Sequence, residues 1–93
     1  MFRIPSVNVI ESDEGFSVEV VGRTEVLYTE QNRKLQIDSE LLAGPSGLAI
    51  YRRSIVSWAP PHNDETIDEN KREEIIDNIR RAFRFRKIEI QVI

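Results

Sequence analysis

The chain has 93 residues, no cysteine and a net charge of −3, from 13 lysines and arginines against 16 aspartates and glutamates. That length supports one domain with a modest core, and 40% hydrophobic with 31% charged residues belongs to a globular rather than a disordered protein. The missing cysteines exclude disulfides, thiol nucleophiles and cysteine metal sites, and so mild a charge dictates no class of partner.

No apolar run approaches the roughly 18 residues that a membrane span needs. The N-terminal stretch also lacks the hydrophobic block of a signal peptide. The chain therefore reads as a cytoplasmic protein with no membrane partner.

Pro5 makes the first residues an extended lead-in, and Val7 and Val9 alternate weakly with Ser6 and Asn8. Residues 11–15 read as a turn, because Asp and Gly tolerate the backbone angles of a reversal. Phe16, Val18 and Val20 then alternate with Ser17 and Glu19, the period-two pattern of a half-buried strand. Gly22 and Arg23 read as a two-residue hairpin loop, with Gly22 supplying the positive φ of a type II′ turn. Residues 24–30 form the next strand, since they suit a pleated surface. Gln31 and Asn32 turn the chain again, and Leu35 and Ile37 alternate with Lys34, Gln36 and Asp38. Short turns make antiparallel neighbours the economical topology.

Leu41 and Leu42 read as an irregular turn, and residues 43–47 as a loop around Gly44 and Pro45. Two short apolar runs, 48–51 and 55–59, flank Arg52, Arg53 and Ser54, which predicts another hairpin. Pro60 and Pro61 end it, because neither can donate to a ladder. Thr66 and Glu69 fit a capping box that opens a helix. Ile75, Ile76, Ile79, Ala82 and Phe83 recur at helical spacing as one apolar stripe. Acidic residues gather at its start and arginines at its end, which complements the helix dipole. Residues 87–93 alternate as a last strand, seeded by Phe85. The expected fold is α+β in a single domain, 1–93. It is a mainly antiparallel, curved meander of about five to seven short strands, packed on one C-terminal helix and followed by a final strand.

Three sets of residues carry chemical vocabulary. Asp38, Glu40 and His62 could form a histidine base oriented by a carboxylate, as in a small hydrolase or metal-dependent enzyme, if the fold gathered them. The structural alternative is a pair of solvated carboxylates and a loop histidine, and a lone histidine leaves zinc short of ligands. Arg80, Arg81, Arg84, Arg86 and Lys87 interleave with Phe83 and Phe85, which would suit nucleic acid. The same residues also complete an ordinary helix end, and that explanation needs no partner. Tyr51, Arg52, Arg53 and Trp58 are the residue types that dominate protein interfaces, although Trp58 fits equally well beneath the helix. No phosphate loop or nucleophile elbow occurs, and no cofactor or metal is expected.

The pattern over most of the chain resembles the immunity protein 74 family of bacterial polymorphic toxin systems. The resemblance rests on Ser39 and Glu40, Gly44, Ile50 and Tyr51, Ser54 and Ile55, Trp58, Pro60 and Pro61, and Ile79 to Phe83. It implies a non-enzymatic cytoplasmic protein that binds and neutralises a cognate toxin. Tyr51, Arg52, Arg53 and Trp58 are the expected partner-binding residues.

Overall fold

The computed structural model describes residues 1–42 and 47–93. Five strands run as an antiparallel meander: β1 (Phe2–Ser6), β2 (Val9–Ser12), β3 (Phe16–Val20), β4 (Glu25–Glu30) and β5 (Arg33–Leu41). β6 (Leu48–Ile50) joins β5 antiparallel, and after the helix α1 (Glu69–Phe85) the last strand, β7 (Ile90–Val92), joins β6 in parallel. The seven strands form one curled sheet in chain order, and the helix fills its concave side. Parallel pairing here follows from connectivity. A helix separates β6 from β7, and that length of chain permits the crossover that a tight turn forbids.

Period two decides which side chains the sheet buries. Along β5, Leu35, Ile37 and Ser39 face inward at 4% exposure or less, while Lys34, Gln36, Asp38 and Glu40 face outward. Val18 in β3 and Val26 and Tyr28 in β4 extend the inner face. Ile75, Ile76, Ile79, Ala82 and Phe83 of α1 pack against it, all buried as the apolar stripe predicts.

Several local expectations need correction. β1 and β2 turn at Val7 and Asn8, so the weak alternation there spans a reversal and not a strand. Pro5 sits in β1, an edge strand, where its missing donor does no harm. The loop between β3 and β4 has four residues, 21–24, with Gly22 at φ 86°. Leu41 continues β5 and does not turn. Of the loop expected at 43–47, residues 43–46 lie outside the described residues.

The expected hairpin 48–59 does not form either. Residues Arg52–Ser54 make a single 3-10 turn, and the chain beyond it leaves the sheet, because β7 takes the free edge of β6. Val56 O instead accepts from Ile67 N–H at 3.2 Å, and Ser57 bridges Thr66. That bridge also removes Thr66 from capping duty. Asp68 is the N-cap, its Oδ1 accepting from Lys71 N–H at 2.8 Å. Phe85 is the last residue of the helix, where its ring meets Phe2 at 5.7 Å between centroids.

The helix ends in a Schellman motif. Lys87 N–H donates to Arg84 O at 2.8 Å and Ile88 N–H to Phe83 O at 2.9 Å, with Lys87 left-handed at φ 62°. Glycine normally occupies that position. Lys87→Gly should therefore raise stability by about 0.5–1 kcal/mol in urea unfolding, as relief of the Cβ clash exceeds the added chain entropy. A loss instead would mean that the lysine side chain holds the turn. Ile79 has no exposed surface at the middle of the stripe. Ile79→Ala should cost about 2–5 kcal/mol in the same measurement. A loss below about 0.5 kcal/mol, the range of a surface change, would place it outside the core.

Candidate protein-binding surface

Tyr51 continues the line of β6 by one residue. Its N–H donates to Asp38 O at 2.9 Å, which places it beside β5. The turn that follows is held from several sides. Ser54 Oγ donates to Tyr51 O at 2.7 Å and accepts from Asp38 N–H at 3.0 Å, while Arg52 N–H donates to Ile93 O at 2.9 Å. Serine suits this position because one hydroxyl both donates and accepts.

The side chains of Tyr51 and Arg53 lie together on the side of Glu40, while Arg52 turns toward the helix. The Tyr51 hydroxyl donates to Glu40 at 3.2 Å, and the Arg53 guanidinium lies 4.7 Å from the Tyr51 ring centroid. Arg52 pairs with Glu73 of the helix. Arg53 is exposed, whereas Tyr51 and Arg52 are half-buried. The hydrogen bond to Glu40, followed by the charge of that carboxylate, holds the Tyr51 phenol above its ordinary value.

Trp58 offers little surface. It is 5% exposed and its ring stacks over Tyr28 at 6.4 Å, so it belongs to the core. Composition could not separate a core tryptophan from an interface one.

The catalytic vocabulary is not gathered. Ala59 N–H donates to Lys34 O at 2.7 Å, so the chain leading to His62 is fixed beside the start of β5. Asp38 and Glu40 lie further up that strand, roughly 13 and 20 Å from Lys34 at the usual rise per residue. Among the described residues no group of three or more His, Cys, Asp and Glu side chains could hold a metal ion. The basic segment is also largely engaged. Arg81 pairs with Glu14 at 2.9 Å, Arg84 with Glu89 at 3.3 Å, and Arg86 donates to Val7 O at 2.7 Å.

A polar network escaped the sequence reading. Asn78, 9% exposed, donates to the Tyr28 hydroxyl at 2.9 Å, and that hydroxyl donates to Glu30 at 2.7 Å. Lys71 bridges Glu30 and Glu74 at 2.5 Å each, and Arg81 reaches Asn78 Oδ1 at 2.6 Å. Glu30, Lys71, Glu74, Asn78 and Arg81 line a groove of about 400 Å³ between helix and sheet. Burial, reinforced by Glu30, pushes the Tyr28 phenol far up. Burial works against the Lys71 charge, but its hydrogen bonds to Glu30 and Glu74 outweigh that and raise it above the ordinary range. The groove's cations are matched internally, so it serves the fold. Its partners lie up to 67 residues apart in sequence, as with Arg81 and Glu14, and no local pattern announces them.

Both tyrosines of the chain are held above the ordinary phenol value, Tyr51 through Glu40. Removing the carboxylate charge should release it. An ultraviolet titration of Glu40→Gln should show the lower of the two tyrosine steps moving down toward the ordinary value of about 10. An unmoved step would detach Tyr51 from Glu40.

No curated protein and no solved structure matches the chain. No helix of the described residues is long and apolar enough to cross a membrane. The family model described as Immunity protein 74 matches residues 17–93, from β3 through the turn and helix to the end of β7. With that match covering most of its length, the chain belongs to the Immunity protein 74 family.

Proposed function

We propose that this chain is a non-enzymatic immunity protein that binds a cognate toxin and neutralises it, docking through the Tyr51–Arg53 turn. The single observation that carries the docking site is the Arg53 guanidinium resting on the Tyr51 ring, at a turn fixed by hydrogen bonds to β5 and to Ile93. A side-chain pair ordered before binding loses less freedom on association. Tyrosine and arginine also carry an outsized share of interface energy. Arg52 supports this corner through Glu73. Family membership supplies the class of partner.

The test has two parts. The immobilised domain captures its partner from the host of origin, and the captured toxin is then co-expressed with parent and variant domains. The parent should relieve growth arrest. Arg52→Ala with Arg53→Ala, and separately Tyr51→Ala, should lose most of that relief. The arginine pair should leave the melting temperature within about 4 °C of the parent, because surface ion pairs contribute little. A double variant that unfolds would make the arginines structural. One that protects as well as the parent would move the docking site elsewhere.

A further inference from the structure

Carboxylates in this protein are almost all accounted for. Of the 16 aspartates and glutamates, ten form ion pairs, Asp68 caps the helix and Asp64 lies in the loop before it. The remaining four are Glu19, Glu25, Asp38 and Glu40. All four point outward from the convex face of β3, β4 and β5, on the side away from the helix.

The register makes their placement costly. Glu25 is directly opposite Asp38, and like charges in that relation destabilise a sheet. Tyr51 stands on the other side of Asp38, bonded to it through the backbone, so Glu25, Asp38 and Tyr51 form one row across three strands. Glu19 and Leu27 occupy the next row, and Glu40 accepts the Tyr51 hydroxyl. Lys34 lies on the same face opposite Thr29, Arg53 rests on the Tyr51 ring and Arg23 lies in the loop before β4, and none of the three closes an ion pair with these four among the described residues. The face therefore combines an ordered aromatic anchor with uncompensated negative charge, while nearly every other carboxylate is paired.

We infer that the outer face of β3–β5 is the continuation of the Tyr51–Arg53 docking site, and that it receives a protein surface rich in lysine and arginine. The inference rests on the protein-binding reading and names the chemistry of the partner. The repulsion between Glu25 and Asp38, a cost to the free protein, becomes an attraction when a cation is set between them. Complementary charge of this kind accelerates encounter and makes affinity fall with salt.

The test uses Glu25→Gln, Asp38→Asn and Glu40→Gln combined. Residues kept for the fold and residues kept for a partner respond oppositely to it. The triple variant should melt at the same temperature as the parent or higher, since a repulsion is gone, and should bind the captured toxin about tenfold more weakly at low salt. A lower melting temperature, or undiminished capture, overturns the assignment of this face, and undiminished capture leaves toxin binding itself standing. An arginine hexapeptide provides a probe that needs no toxin. Amide resonances of Glu19, Glu25, Asp38 and Glu40 should shift on its addition in the parent and stay still in the triple variant. Shifts centred instead on the helix carboxylates Glu69, Glu73 and Glu74, or no shifts at all, overturn it independently of whether any toxin is captured.

Discussion

One contact holds this structure together: the apolar stripe of α1 against the concave face of the sheet. Ile75, Ile76, Ile79 and Phe83 from the helix meet Val18, Val26, Tyr28, Leu35, Ile37 and Ile50 from four strands. Each fully buried aliphatic or aromatic side chain contributes about 1.5–3 kcal/mol. Without the helix the inner face would stand in water, and a lone sheet of short strands has no second layer to supply a core. The curl of the sheet follows from the same contact, since a flat sheet would meet one helix along a narrow line. An apolar stripe alone, however, does not fix how far the helix slides along its groove. Polar contacts from the helix to the sheet do, among them two that differ in burial. Asn78 bonds the Tyr28 hydroxyl inside the core, and Arg81 reaches Glu14 at the rim. The buried one is directional, because an unpaired amide there costs about 1–3 kcal/mol.

The helix contact also explains why the Tyr51–Arg53 turn is well held. The helix delivers the chain to β7, and β7 occupies the edge of β6 that a hairpin partner would otherwise have taken. Residues after Ile50 must then leave the sheet at once, and the 3-10 turn makes that exit. Its backbone is bonded to Asp38 on β5 and to Ile93 beyond β7, and Arg52 ties it to Glu73 on the helix. Sheet, helix and last strand thus all contribute to one corner. A surface built at such a junction keeps its side chains in place without a partner.

Much of the fold was legible because period two and period 3.6 are direct consequences of burial on one face. The strands at Phe16–Val20 and Arg33–Leu41 and the stripe of α1 showed themselves in that way. The hairpin expected at 48–59 failed because a short apolar run reports burial and not geometry. Leu48, Ile50 and Ile55 are indeed buried, yet only the first two lie in a strand. The capping box failed for a related reason: Thr66 and Asp68 are both favoured N-cap types, and the choice was made by the bridge from Thr66 to Ser57 and the burial of Ile67. His62 could not be placed against Asp38 and Glu40, since separation in sequence does not set separation in space. The row of Glu25, Asp38 and Tyr51 was hidden because it needs the register of three strands at once.

The sheet also divides labour by parity. Along β5, Leu35, Ile37 and Ser39 face the helix, and a change of volume there is felt through the whole core. Lys34, Gln36, Asp38 and Glu40 point the other way and bear almost no packing duty. A chain that must keep its fold while its partner changes has free choice at the second set and very little at the first. Here the carboxylates are adjacent, one pair is in direct opposition, and the ring of Tyr51 lies among them. The inner positions are set by what the helix requires, and the outer ones are left open by the packing.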